Sequence, residues 1–107
     1  MPTHVPMIDP EKARRETLRW TILVALNSAR PYGAVEPVLL ATVQGVFPDC
    51  THTELRKELD YLADRQLLEN KNIQGPVWKS ELSRVGVDLV EYTSDCEPGI
   101  AHPEKDW

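Results

Sequence analysis

The sequence predicts an α+β domain, because three segments with helical periodicity are followed by two short β-type segments and then by a fourth helical segment. The chain has 107 residues, which is enough for one hydrophobic core and too few for two. Its composition, 41% hydrophobic and 27% charged, is typical of globular proteins and argues against disorder of the whole chain. We expect a loose arm over residues 1–8, the domain over residues 9–93 and an extended acidic tail over residues 94–107.

The first helix is predicted over residues 9–29. The Asp9 side chain can accept hydrogen bonds from free backbone N–H groups, and Pro10 is tolerated at the first helical position. Residues 30–33, Arg-Pro-Tyr-Gly, contain the breakers that end it. Its core stripe, which recurs at helical spacing, comprises Leu18, Ile22, Ala25, Leu26 and Ala29.

Proline and capping signals predict the second and third helices. Pro37 suits the first turn of helix two. The apolar face of this helix is expected at Val38, Leu39, Thr42, Val43 and Val46. Helix three begins with a capping box, in which the Thr51 hydroxyl and the Glu54 carboxylate satisfy each other's free backbone N–H groups. Its buried face is expected at Leu55, Leu59 and Leu62.

Two short strands, residues 67–69 and 77–81, flank a segment rich in turn residues and predict a β-hairpin. Ser83 can cap a fourth helix that turns Val85, Leu89 and Tyr92 inward, although Gly86 weakens this helix. Three helices, the second and third joined by a tight turn, followed by a hairpin, form the element order of a winged helix-turn-helix. The predicted architecture is therefore a three-helix core, a β-hairpin wing, a C-terminal helix and an extended acidic tail.

Four segments between residues 16 and 103 form a recognisable pattern: LRWTIL at 18–23, TELRKEL at 53–59 together with Leu62, LSRVGVD at 82–88 and EPGI at 97–100. With these segments the chain resembles a family of small winged-helix proteins encoded by Mu-like phages and prophages. The resemblance implies a winged-helix fold and similarity to DNA-binding regulators, with no assigned reaction. Basic residues follow the Pro-Gly of the tail in that family, whereas this chain has Ala101 and His102.

The charge distribution gives no general signal for nucleic-acid binding. Residues 1–87 carry 11 Lys/Arg and 11 Asp/Glu, whereas residues 88–107 carry 1 Lys/Arg and 6 Asp/Glu. Since DNA-binding domains usually carry a basic excess, any DNA contact must come from a local patch. The sequence has neither a membrane-spanning apolar run nor the layout of a signal peptide, so we expect the protein in the cytoplasm, with Cys50 and Cys96 as free thiols.

Helix three would enter the major groove of DNA by its N-terminal half. On its outward face Thr53 and Lys57 could hold phosphates, and Arg56, at the border of this face, could pair with a guanine edge. Lys71, on the hairpin, could reach the neighbouring backbone. Asp60 and Asp64 lie on the same face and would repel phosphates, so the alternative is a solvated face with intrahelical charge pairs.

Helix one carries a second apolar strip, on the side away from its core stripe. Its members are Ala13, Thr17, Trp20 and Val24. An exposed apolar strip usually marks a contact surface, which favours a homodimer interface. The alternative is that helix four or the tail covers Trp20. Nearby cations that could touch a nucleic-acid backbone, or simply be solvated, are Arg14, Arg15 and Arg19.

The sequence offers no site for metal or catalysis. The residue types that bind zinc, Cys50, His52, Cys96 and His102, lack the close spacing of a zinc finger, and no phosphate loop or catalytic motif occurs. We therefore expect neither an enzyme nor a cofactor. The leading hypothesis is a phage or prophage protein that binds duplex DNA as a homodimer, in regulation or in packaging. The alternative is an adaptor that binds a phage or host protein through the Trp20 strip or the acidic tail.

Overall fold

The computed structural model of the protein describes residues 9–104, and it confirms the α+β class. The elements in chain order are α1 (Pro10–Ser28), β1 (Ala34–Val35), α2 (Glu36–Val43), α3 (His52–Asp64), β2 (Leu68–Lys71), β3 (Lys79–Leu82) and α4 (Arg84–Val90). The predicted arm over residues 1–8 and the last three residues of the predicted tail lie outside the described residues.

The helix starts that the sequence predicts are confirmed. The Asp9 carboxylate accepts from the backbone N–H groups of Glu11 and Lys12 at 3.1 and 3.2 Å, which caps α1. The Thr51 hydroxyl accepts from the backbone N–H of Glu54 at 3.1 Å, which caps α3. The reciprocal half of the predicted capping box is wrong, because the Glu54 carboxylate is held by Arg14 of α1 instead.

The three strands form one antiparallel sheet in the order β1-β3-β2. β2 and β3 are the predicted hairpin, paired from Leu68 opposite Leu82 to Lys71 opposite Lys79. Residues 72–78 connect them and are called the hairpin loop below. The sequence did not predict β1, whose two residues are too few to show an alternating pattern.

The core lies between the four helices and the sheet and consists mainly of leucine. The leucines predicted for the inner face of α3, Leu55, Leu59 and Leu62, are all fully buried. In α1 the fully buried side chains are Leu18, Ile22, Leu23 and Leu26, which confirms three of the five predicted positions and adds Leu23. Ala25 and Ala29 are half-buried at the edge of this stripe.

The predicted inner face of α2 is partly wrong. Leu39 and Val43 are buried as expected, and Leu40 joins them. Val38 and Val46, however, are each 58% exposed, and Thr42 is exposed as well. Because this segment carries apolar residues all around the helix, its periodicity could not identify the side that packs on α1 and α3.

The predicted inner face of α4 also needs correction. Ser83 caps the helix as expected, accepting from the backbone N–H of Gly86 at 3.1 Å. Val85 is half exposed, whereas Val87 and Leu89 are buried. Gly86 faces the carbonyl group of Leu67 so closely that a Cβ at this position would clash with it. The glycine that weakens the helix in the sequence therefore allows α4 to approach the start of the hairpin.

The chain after α4 packs against the body of the domain. Ile100 is buried in the core, and the backbone N–H of Ala101 donates to the carbonyl of Glu16 at 3.0 Å. Arg19 of α1 donates to the Gly99 carbonyl at 2.8 Å, and Arg65 donates to the Pro98 carbonyl at 3.0 Å. Within residues 9–104, no helix is both long enough and apolar enough to cross a membrane.

Candidate nucleic-acid interface

The outward face of α3 presents two of the predicted contact residues to solvent. Thr53 and Lys57 are exposed, and in the part of the chain that the structure describes neither side chain has a hydrogen-bond or ion-pair partner. Asp60 and Asp64 are also exposed, further along the same helix. The N-terminal half of this face is therefore open to an anion, and the C-terminal half carries negative charge.

Arg56, which the sequence analysis assigned to a guanine edge, is already engaged within the protein. Its Nε and Nη2 atoms donate to the two carboxylate oxygens of Glu36, at 2.7 and 2.6 Å. Nη2 also donates to the Pro76 carbonyl at 2.9 Å, and Cζ lies 4.8 Å from the centre of the Trp78 ring. The Arg56 guanidinium therefore binds a buried carboxylate of the protein itself, an interaction that the sequence analysis did not predict.

Glu36 is the partner that sequence reasoning missed. Its carboxylate is 2% exposed, and besides Arg56 it is bonded to the His52 ring at 2.8 Å and to the Trp78 backbone N–H at 3.3 Å. The Arg56 guanidinium lowers the pKa of Glu36 to about 2, against the opposing effect of burial. A signal was present in the sequence, since Glu36 is the only charged residue between Arg30 and Asp49 and sits in an apolar run.

Lys71 lies at the end of β2, where the hairpin loop begins. Its ammonium group is paired with the Glu81 carboxylate across the hairpin, and this pairing raises the pKa of Lys71. The side chain is still half exposed. Lys71 can therefore reach solvent beside α3, but with much of its charge offset by Glu81.

Of the three arginines in the first half of α1, two are paired with carboxylates of α3. Arg14 binds Glu54 in a two-pronged contact at 2.8 and 2.9 Å, and Arg19 binds the buried Glu58 at 2.8 Å. Arg15 has no hydrogen-bond or ion-pair partner among residues 9–104. Arg14 and Arg19 therefore join α1 to α3, and Arg15 is available to a ligand.

A shallow groove between the N-terminal halves of α1 and α3 brings Arg15, Thr53 and Lys57 together. Three glutamates also line it: Glu54 and Glu58, which are paired with arginines of α1, and Glu11 at the start of α1. Among residues 9–104, Arg15 and Lys57 are thus two cations of this groove without an ion-pair partner, and Glu11 offsets part of their charge. This local patch is the only basic feature that the predicted contact residues form, since Arg56 and Lys71 are both paired.

The four residues of the predicted dimer strip on helix one differ in how exposed they are. Ala13 and Thr17 are exposed, and Val24 is 39% exposed. Trp20 is half-buried, because the ring of His102 stands edge-on at 5.0 Å and that of Tyr92 at 6.3 Å from its ring. One side of the indole is thus covered by the tail and the end of α4, as the alternative interpretation expected.

The other side of Trp20 opens into an apolar groove between α1 and α2. The side chains that line this α1–α2 groove are uncharged: Trp20, Thr21, Val24, Ala25, Ser28, Ala29, Thr42 and Val46. Two exposed residues that contradicted the predicted phase of helix two, Thr42 in α2 and Val46 just after it, thus meet the exposed edge of α1. The groove is a second open surface, distinct from the outward face of α3.

The cysteines and histidines considered as zinc ligands do not assemble. In residues 9–104, no group of three His, Cys, Asp or Glu side chains is arranged to hold a metal ion. His52 is bonded to Glu36, and His102 to the Leu89 carbonyl at 2.9 Å. Both thiols are free, and burial raises the pKa of Cys50 to about 11.

Only the geometry of the chain itself indicates what it could bind. Comparison with models of known protein families, with curated proteins and with solved structures finds no match. The residues that support a function are therefore those with side chains open to a partner, namely Thr53 and Lys57 on α3, Arg15 on α1 and the lining of the α1–α2 groove.

Proposed function

We propose that this protein is a winged helix-turn-helix protein of a phage or prophage that binds duplex DNA, in regulation or in packaging. The observation that supports this most is the outward N-terminal half of α3, where Thr53 and Lys57 are open to solvent beside the start of α1. The element order, with α2 and α3 followed by a hairpin and β1 added to its edge, is compatible with this fold.

The dimensions of α3 suit a major groove. A helix of 13 residues is about 20 Å long, and the groove, about 12 Å wide, admits one α-helix. Because the leucine face of α3 is fully buried, only the opposite face is available to bases. In this proposal Thr53 and Lys57 approach the DNA first, and Asp60 and Asp64 remain outside the groove, away from the phosphates.

Few cations are available to neutralise phosphates, so the proposal implies a weak dependence on salt. Arg15 and Lys57 have no partner within the described residues 9–104, and the charge of Lys71 is partly offset by Glu81. Two to three phosphate contacts correspond to a slope of about −2 to −3 in a plot of log affinity against log salt concentration. Larger DNA-binding surfaces give much steeper slopes.

Fluorescence anisotropy with a labelled duplex, at several salt concentrations, tests this proposal. We expect the Lys57→Ala variant to bind more weakly and to make the salt slope about 1 unit shallower, because one phosphate contact is lost. Arg84→Ala is the control, since Arg84 is an exposed cation at the start of α4 that is paired with Asp88 of the same helix. Wild-type binding that is absent at low salt, or that both variants reduce equally, would refute the proposal.

We propose further that the protein acts as a homodimer through the α1–α2 groove, rather than through the whole strip of helix one. Val24 and Val46 expose apolar surface there, and no charge opposes close packing. Sedimentation should give a dimer for the wild type and a folded monomer for Val24→Glu. Val85→Glu, at an exposed valine of α4, should remain dimeric. A monomeric wild type that keeps its DNA affinity would refute the dimer alone.

The second candidate function is an adaptor that binds a phage or host protein. The same α1–α2 groove favours it, because an uncharged apolar surface suits a protein partner and not a phosphate backbone. The two functions predict different results for the wild type. An adaptor that binds no DNA would sediment as a monomer and would show no salt-dependent change in duplex anisotropy. A DNA-binding homodimer would sediment as a dimer and would show that change.

A further inference from the structure

A network of hydrogen bonds centred on one buried side chain joins α3 to the hairpin loop. Its centre is the carboxylate of Glu36, at the first residue of α2, which is almost completely buried. A carboxylate in this position is costly unless several donors compensate it. Its donors come from two other elements, Arg56 and His52 on α3 and the backbone N–H of Trp78 at the end of the hairpin loop.

Arg56 extends this network to the loop itself. While two of its N–H groups hold Glu36, the Nη2 atom also donates to the carbonyl of Pro76, at 2.9 Å. The guanidinium plane lies near the Trp78 ring, with Cζ 4.8 Å from the ring centre. The Arg56 side chain thus contacts the two residues that flank residue 77 in the loop, through the Pro76 carbonyl and the Trp78 ring.

The chemistry of these contacts depends on the shape of the guanidinium group. A planar fork can bind both carboxylate oxygens and still present an N–H group to a carbonyl and a face to an aromatic ring. A lysine ammonium group, which is a point charge on a flexible stem, can replace the charge but not this set of directions. The position of the hairpin loop relative to α3 therefore depends on the planar geometry of the Arg56 guanidinium, and not only on its positive charge.

We propose that the Glu36–Arg56 pair is a positioning device that sets the hairpin loop against the DNA-reading face of α3, and that Arg56 itself does not contact DNA. The inference rests on the proposed function, in which α3 and the loop bind one duplex together. It assigns Arg56 a role in the affinity for DNA that arises from the geometry of the loop and not from a phosphate contact.

Two measurements on Arg56→Lys test the proposal. Hydrogen exchange should be faster at the backbone amides of Gly75 and Trp78, because the loop loses its bonds to the fork, whereas α3 amides keep their protection. Duplex affinity should fall by about tenfold or more with the salt slope unchanged, since the number of phosphate contacts stays the same. Lys57→Ala should show the opposite pattern, with a shallower slope and normal loop exchange.

Arg14→Lys is the matched control, because Arg14 makes a similar two-pronged contact with Glu54 between α1 and α3, away from the loop. It should leave loop exchange unchanged. If Arg56→Lys does not fold, Glu36→Gln is the second variant, since it keeps the shape of the buried side chain and removes the charge that holds the fork. Faster loop exchange in this variant would again support the proposal.

The outcomes separate this inference from the proposed function. A salt slope that becomes shallower by about 1 unit in Arg56→Lys would show a direct phosphate contact and overturn the positioning role. Loop exchange equal to that of the wild type would also overturn it. If the wild type binds no duplex at low salt but Arg56→Lys loosens the loop, the proposed DNA function fails and the placement of the loop by Arg56 stands.

Discussion

The pH dependence of stability provides a quantitative test of the buried Glu36 carboxylate. Its pKa is about 2 in the folded protein and 4.5 for an unperturbed glutamate. At about 1.4 kcal/mol per pH unit, this difference corresponds to about 3 kcal/mol of folding free energy. Because the folded pKa is the lower one, this contribution is fully present above pH 4.5 and is lost as the pH falls towards 2.

The Glu36→Gln variant isolates this contribution, since a neutral glutamine resembles the protonated glutamate. We expect urea denaturation to show the variant less stable than the wild type by about 3 kcal/mol at pH 7 and by only about 1 kcal/mol near pH 3. The comparison cancels the acid sensitivity of other paired carboxylates with a lowered pKa, such as Asp49, Glu54 and Glu81. A difference that stays constant between pH 3 and pH 7 would refute the assignment of this free energy to the ionised Glu36.

Three further predictions concern the core, the tail and the thiols. Leu59→Ala should lower the free energy of unfolding by about 2–5 kcal/mol in the same assay, because Leu59 is fully buried, and a loss below about 1 kcal/mol would contradict the phase of α3. Gly99→Ala should destabilise by about 1–3 kcal/mol, since Gly99 has a φ of +112° and a Cβ there would clash with the Tyr61 hydroxyl, and an equally stable variant would contradict the packed tail. With a thiol reagent at pH 8, Cys96 should react much faster than Cys50, which is buried and has a raised pKa of about 11, and equal rates would contradict the burial of Cys50.

Local signals account for the parts of the fold that the sequence predicted. The caps at Asp9 and Thr51 act on backbone groups two to three residues away, so their effect can be read directly from neighbouring residues. The leucines of α3 are separated from one another by polar residues, which leaves only one face able to enter the core. Where the apolar residues surround the helix, as in α2, periodicity gives no such answer, and tertiary packing on α1 decided which valines stayed exposed.

The candidate site was predictable in position but not in its electrostatics. Thr53 and Lys57 were placed correctly on the outward face of α3 because helical spacing fixes their direction relative to the leucines. The engagement of Arg56 with Glu36, 20 residues earlier, depends on how α2 and α3 meet, which no local pattern records. The same holds for the tail, where Arg19 reaches the Gly99 carbonyl across 80 residues of sequence.

The most direct test of the proposed function is a two-dimensional amide NMR titration of the folded protein with a short DNA duplex at low salt. We expect the signals of Arg15, Thr53, Lys57 and the hairpin loop to shift on binding, whereas those of Val24 and Val46 in the α1–α2 groove should not. Shifts confined to the α1–α2 groove, or no shifts at a duplex concentration of about 1 mM, above the usual range of non-specific dissociation constants, would contradict DNA binding through α3.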